Sequence, residues 1–596
     1  MTRAQPCAMR ALALTLAVAL AAGAVLGPAV PLAAQDSLAP RADSLRVSDL
    51  ACRGQTITGI EVRRQAPPLM GRDAPRWRRR LLPLLFQYRT TRPDVVSDFL
   101  QLEQGDRCTA LRREETERVL RAQPFIADAT VRAEPDAAGQ GTRVVVETVD
   151  EIPLILSLSL RGSDLRSFRY GNSNVMGAGQ LASARWRDGT GFRDGVAVQY
   201  EHYHLFGGPN TLAVQLERAP IGGNSLVSLA HPFLTPLQRV AMQAEYRDED
   251  GYRDFIRAGA STRSIGLRRS KVSAGAVYRL ARVGGGELSG IFAGAIGGYE
   301  RADFDGEVVH VGDSDVAPDP DPLISGRYSD FDRTRIGAVV GLSALRFVRV
   351  QGFDALEGAQ DLGRGAQLSL RVGPQTGTGD ASAFGGLDLY VGAGGPTSFV
   401  GGRFTADGES RGLLGQWGES FASGRVAWYR KPAARRTLIL SGEYSAAWHS
   451  RVPYQLTYSA RRGGLAGYRK SELAGARRLV GRGEQRWSLR HSPSPLLGLG
   501  AALFAEVGKM WAGDVPYAVN SNPRASVGVG LLGAVPRSSR RLLRADVAFP
   551  LAVDHGLRRL EFRFTSSVPL RTFFREPSDL ASARSSAPST DLFGWP

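Results

Sequence analysis

From about residue 155 to residue 574 the chain is built of short segments in which apolar and polar residues alternate. VAVQYEHYHL (Val196–Leu205), RVAMQAEYRD, KVSAGAVYRL, RTLILSGEYSAAW and RRLEFRFTSS are examples, separated by turns rich in Gly, Asp, Pro and Ser. Successive side chains of a strand point to opposite faces, so period two predicts strands with one apolar and one polar face. In LEFRFTS, Leu560, Phe562 and Phe564 share one face, and Glu561, Arg563 and Thr565 the other. No helical period is sustained in this half. Residues 53–150 have a different texture and predict the order strand, helix, helix, strand, strand. Thr56–Arg64 alternates like a strand. Val95, Val96, Phe99, Leu100 and Leu102 follow at helical spacing, with Gly105 suited to a helix C-terminus. Thr109 is a candidate N-cap for an amphipathic helix through Leu111, Glu115, Val119 and Leu120 that ends before Pro124. IADATVRAEP and TRVVVETVDE then predict two closing strands.

Composition supports the β reading. Gly 70 and Pro 33 in 596 residues disfavour a helical bundle. A mean hydropathy of -0.17 excludes a polytopic helical membrane protein. It does not exclude a membrane β-barrel, whose wet lumen face offsets its lipid face in any average. Arg3 and Arg10 flank a polar start, Ala11–Gly27 is apolar, and Leu32-Ala33-Ala34 precedes Gln35. This order predicts a secretory signal peptide over residues 1–34. Cys7 lies ahead of the apolar run, where it cannot serve as a lipid attachment site. Cys52 and Cys108 remain, an even pair in an oxidising compartment. They are a candidate disulfide, with two separate thiols as the alternative. A bridge would close a 56-residue loop, worth roughly 4 kcal/mol in the chain-entropy model.

The segment ERVLRAQPFIADATV with the later VVVETVDE resembles a POTRA domain. In the second half, five pieces resemble the BamA/TamA superfamily of outer-membrane assembly factors, in that family's order. They are GNSNVMGAGQLASARWRDG (Gly171–Gly189), AHPFLTPLQRVAMQAEYRD (Ala230–Asp248), LEGAQDLGRGAQLSLRVG (Leu356–Gly373), ALFAEVGKMW (Ala502–Trp511), and RASVGVGLL with LLRADVAFPL (Leu542–Leu551). The resemblance implies a loop folded back into the barrel lumen, with an Arg-Gly-aromatic tip paired to acidic residues on late strands. The corresponding stretch is Arg461–Ala476, and its tip reads Leu465-Ala466-Gly467-Tyr468. Gly and the aromatic match, but Ala466 stands where the family has Arg. The acidic partners the resemblance implies are Glu506 and Asp546, and Arg469 is the candidate substitute cation.

Other motifs compete weakly. Gly408–Gly412 matches G-x-S-x-G around Ser410, but sits in a hairpin-like loop rather than a strand–turn–helix. Gly528–Gly533 matches G-x-G-x-x-G inside a strand pattern. His202 and His204 share a strand face without a third metal ligand. Asp313, Asp315, Asp319 and Asp321 form an acidic run without EF-hand spacing. The formal net charge of +17 is spread as Arg over turns and strands, without an aromatic-interleaved patch for nucleic acid.

The expected fold is mainly β: a transmembrane antiparallel barrel preceded by one small α+β POTRA-like periplasmic domain. At roughly 26 residues per strand and connection, about sixteen strands fit. The expected layout is a linker over 35–52, the POTRA-like domain over 53–152, the barrel over 153–574 and a disordered tail over 575–596. The resemblance implies insertion or translocation of other outer-membrane polypeptides. Unfolded client proteins, outer-membrane lipid, lipopolysaccharide and accessory periplasmic or lipoprotein subunits are the implied partners. No enzymatic role, cofactor, metal or nucleic acid is expected. A passive porin or a dedicated exporter of the two-partner-secretion type is the alternative.

Overall fold

The computed structural model describes residues 52–584 except 72–73, 137–140, 162–163, 283–288, 378–381, 412–416, 469–472, 491–496, 552–559 and 568–575. The expected signal peptide therefore lies outside the described residues, as does the expected linker apart from Cys52.

The first unit contains β1 (Arg53–Gln65), α1 (Arg76–Leu85), α2 (Pro93–Ser97), β2 (Arg107–Thr109), α3 (Ala110–Ala122), β3 (Ile126–Pro135) and β4 (Thr142–Asp150). Its sheet order is β2-β1-β4-β3, with β1 parallel to β4 and β3 antiparallel to it. Thr109 caps α3, its hydroxyl accepting from the Arg112 N–H at 3.3 Å. The alternating Val144 and Val146 of β4 face Val95, Val96 and Phe99 from the α2 region and Val119, Leu120 and Phe125 from around α3. That dry core holds the unit together, and a Cys52–Cys108 disulfide ties the start of β1 to β2, with Cα atoms 4.8 Å apart. Helix α1 is an addition to the order read from sequence.

The second unit is one antiparallel sheet whose strand order closes into a ring. Among the described residues, twenty strands of seven or more residues run from Leu154–Arg161 to Glu561–Ser567, with one further strand of three residues at Val316–Pro318. This corrects the expected count of about sixteen. Residues 154–567 (414 residues over twenty strands) average about 21 residues per strand and connection. The strands near both ends of the sheet are short, as in Asp164–Asn172 and Asn210–Arg218. A length suited to the long central strands, such as Ser289–Val311, therefore undercounts them.

Period two is visible in Phe331–Gln351. Ile336, Val340 and Leu342 are exposed outward, whereas Arg333 and Val339 are buried. The inward faces carry ion pairs. Arg333 meets Glu300 at 2.7 Å, Glu419 at 2.9 Å and also Glu409.

The first unit packs against turns of the sheet at the end where the strand Leu154–Arg161 begins. The Thr235 hydroxyl donates to Glu115 at 2.7 Å, and Arg121 pairs with Asp361 at 2.6 Å. Arg349 pairs with Glu117 at 2.7 Å, and the Ser539 hydroxyl donates to Glu151 at 2.6 Å. His204 sits 2.7 Å from Asp98. These turns are far apart around the ring, so the small domain lies across the mouth of the barrel. That explains why α3 buries Arg113, Glu115, Arg118 and Arg121. Its polar face is a docking face.

Candidate functional site: the lumen, its loop and the seam

The connection between strands Arg436–Trp448 and Arg477–Ser488 folds into the lumen. A two-residue ribbon, Leu456–Thr457 with Ala474–Gly475, stiffens its base. Tyr458 and Leu465 pack on Val480 and Met510 of the wall, and Ala466 packs on Phe504 and Ala548. Gly467 has φ +84°, and a Cβ there would stand 3.0 Å from Pro550 Cδ and 3.1 Å from its nitrogen. Only glycine fits this approach.

The tip presents backbone amides to carboxylates. The Ala466 N–H donates to Glu506 Oε2 at 2.6 Å, and the Gly467 N–H donates to Glu561 Oε2 at 2.7 Å. The Tyr468 hydroxyl donates to the Ala525 carbonyl at 3.1 Å. Arg482, on the wall, supplies the cation. It donates to the carbonyls of Gly463 at 3.0 Å and Gly464 at 2.7 Å, and lies 3.2 Å from Glu506. A buried carboxylate needs a counter-charge or good donors. Two N–H groups and a strand arginine meet that need without an arginine at position 466.

Of the two acidic partners expected from sequence, Glu506 meets the tip. Among the described residues, Asp546 pairs with Arg544 at 2.6 Å and Arg563 at 2.8 Å. Arg544 lies two residues away on the same strand, and Arg563 on the next one. Glu561 also meets the tip. The alternation of LEFRFTS put Glu561 on the lumenal face, so its position was legible although its partner was not. Arg469, the expected substitute cation, lies outside the described residues.

Glu561 belongs to the last strand, Glu561–Ser567, which neighbours the first strand in the ring. The ring closes where these two strands meet, and the last strand is laddered on its other side to Leu542–Pro550. The loop tip holds one of the two strands of this seam from inside.

The tail is a second correction. Residues 576–584, expected to be disordered, are ordered: α4 (Ser578–Ala583) buries Leu580 and Ala583 against the lumenal wall. Ser- and Ala-rich composition hid a helix whose stability comes from that wall rather than from its own six residues. Residues 585–596 lie outside the described residues.

The remaining sequence motifs have structural employment. Ser410 lies in strand Ser398–Arg411 opposite Ala383, so the expected hairpin-like loop is strand, and no nucleophile elbow forms. Gly528–Gly533 lies within strand Arg524–Ala534. His204 hydrogen-bonds Asp98 and the Ala178 carbonyl. Asp319 and Asp321 both pair with Arg263.

No family model matches the chain, and no curated protein matches it. Solved structures do. The chain is similar to BamA from Haemophilus ducreyi lacking POTRA domains 1-3, at 12% identity and a TM-score of 0.37, over 85% of this chain and 83% of that one. It is similar to CdiB from Escherichia coli at 10% identity and a TM-score of 0.44, over 86% and 76%. CdiB from Acinetobacter baumannii gives 10% identity and a TM-score of 0.38, over 86% and 74%.

Proposed function

We propose that the chain is a bacterial outer-membrane barrel that inserts or translocates other polypeptides, with its small domain in the periplasm. The observation that carries this reading is the lumenal loop. Its tip, Ala466–Tyr468, bonds the strand at the seam through Glu561 and the adjoining wall through Glu506. A loop gripping the last strand from within can hold that strand when it parts from the first and offers its edge to a client.

The membrane location rests on the outward faces. Leu156 and Leu158 of the first strand, Ile336, Val340 and Leu342 mid-sheet, and Phe562 and Phe564 of the last strand are all exposed. An apolar exterior around an ionic interior is the arrangement lipid demands. The assembly role rests further on the five motifs that resemble the BamA/TamA superfamily. A client strand would be templated on the backbone that the two seam strands expose on parting. Neither a cofactor nor covalent chemistry is required, because folding of the client into lipid is downhill.

A passive porin fits less well, since the small domain lies across one mouth and both loop and tail occupy the bore. A dedicated exporter draws some support from that same occupied bore, which would then open for one partner.

The test is reconstitution of the full chain into liposomes, followed by addition of a urea-denatured barrel client. Faster appearance of heat-resistant client than in empty liposomes is the expected result. Glu561→Ala should slow it while the barrel stays folded. An unaccelerated client beside steady permeability to small solutes would sink the assembly reading and favour the porin.

A further inference from the structure

The segment 576–584 is seated as a ligand is seated. Its Leu580 is fully buried among Leu267, Ala302, Phe331, Phe421 and Ala447, which face inward from five different strands, and Tyr454 of the lumenal loop. The last carbonyls of a helix lack intrahelical partners and carry partial negative charge. Here two cations of one strand meet them. Arg269 donates to the carbonyls of Ser582 at 2.6 Å and Ala583 at 3.1 Å, and Lys271 donates to that of Arg584 at 2.6 Å. Arg584 is itself buried, pairing with Asp407, with Glu576 at 2.9 Å, and lying 5.6 Å over the Phe421 ring. Asp579 faces Arg462 of the loop at 3.6 Å.

Apolar pit, cationic seat and acidic pocket come from separate strands, yet they match one short peptide at Leu580 and Arg584. Asp407 is the telling member. Its Oδ1 is buried, and Arg584 of the tail is the cation beside it. Glu300, Glu409 and Glu419 pair with Arg333 of the wall, whereas Asp407 pairs with a cation of the tail.

We propose that the lumen carries a peptide-binding site, and that residues 576–584 are its resident ligand and a releasable plug. Its ligand class is a short polypeptide segment with a bulky apolar residue followed four positions later by arginine. A client segment of that chemistry competes with the tail for the seat, so the bore opens when a client is present. This rests on the reading of the barrel as membrane-spanning and goes beyond it by naming what holds the bore closed and what releases it.

Single-channel recording in planar bilayers tests the plug. The full chain is compared with a chain ending at Arg575, and with full-length Leu580→Asp. Heat-resistant migration in each case confirms a folded barrel. Both variants should conduct several-fold more than the full chain. A synthetic peptide of residues 576–584 should return the truncated chain to the low level, and the same peptide carrying Asp at Leu580 should not. Equal conductance of all three folded proteins overturns the plug and leaves the membrane reading standing. Raised conductance that the peptide fails to reduce overturns the binding site. Failure of every folded chain to insert overturns the membrane reading and the plug together.

Discussion

The small N-terminal domain and the barrel bury opposite kinds of side chain. In the domain, Val95, Val96, Phe99, Phe125 and Val146 are inside. In the barrel, Arg269, Arg333 and Arg478 are among the largest fully buried side chains, while Phe562 and Phe564 are about three-quarters exposed. Each unit places its apolar surface where its own surroundings reward it: a dry core in water, an outer face against lipid tails. The same residue type therefore has different worth in the two units, and substitutions can measure this.

The largest effects belong to the buried groups. Phe125 is fully buried and packs against Phe99 and against Tyr203 of the barrel, with ring centroids 6.1 and 5.9 Å away. Phe125→Ala should cost about 3–5 kcal/mol of the domain's stability, read as a lower urea midpoint of its unfolding. In the barrel the equivalent role falls to charge. Arg333→Met removes the cation that Glu300, Glu409 and Glu419 share, leaving Arg269 on Glu300 and Arg335 on Glu409. Breaking such a buried set costs roughly 3–5 kcal/mol, read as a lower temperature for loss of heat-resistant migration. If Arg333→Met were neutral, water or the remaining arginines would satisfy the three carboxylates. Replacing Cys52 and Cys108 by Ser should cost the domain about 2–4 kcal/mol, with the barrel transition unmoved.

How much of this was legible in the sequence follows the same division. Strand alternation was readable, because lipid outside and charge inside make period two plain; Phe562, Glu561 and Phe564 show it. Strand number was not, because turn positions in Gly-rich sequence do not fix strand length. Helix α1 escaped because RWRRRLLPLL has Pro83 inside it, which argues locally against a helix. The loop tip was found through its Gly467-Tyr468 pair. Its carboxylate partners were not, since Glu506, Asp546 and Glu561 look alike in one dimension, and Arg563, which pairs with Asp546 together with Arg544, comes from the next strand. Helix α4 was unreadable for the same reason: what orders it lies on strands up to about 300 residues away, as Arg269 does.

The joint between the two units gives a smaller, pH-dependent effect. Glu151 follows β4 and accepts from the Ser539 hydroxyl of the barrel. Burial raises its pKa, against the opposing pull of Arg541. Between the ordinary glutamate value and that raised value, the native state keeps a proton that the unfolded state releases. Stability is thus greatest below the ordinary value and falls as pH rises through the window, by at most about 1.4 kcal/mol per pH unit. Urea midpoints of the domain measured from about pH 4 to 7 should show this fall, and Glu151→Gln should flatten it. A midpoint that rises with pH in the wild type but not in Glu151→Gln would mean that Arg541 outweighs burial.

The smallest effect is the most exposing test of the contrast. Phe562 is 74% exposed on the outer face of the last strand. In lipid its ring meets acyl chains in the folded barrel, and Phe562→Ala removes few contacts with protein. Its cost should be the transfer of the ring from water to lipid alone, about 1–2 kcal/mol, without the cavity that Phe125→Ala also leaves. Phe562→Arg, by contrast, should cost about 2–4 kcal/mol if the position lies near the bilayer midplane. Heat-resistant migration in the same lipid reads both. A large loss for Ala would mean that Phe562 packs on protein, so that the last strand is covered rather than lipid-facing. Indifference to Arg would mean that this face of the sheet meets water. Either result would remove the outward apolar band at the strand where the seam, the loop contact Glu561 and the proposed client edge all meet.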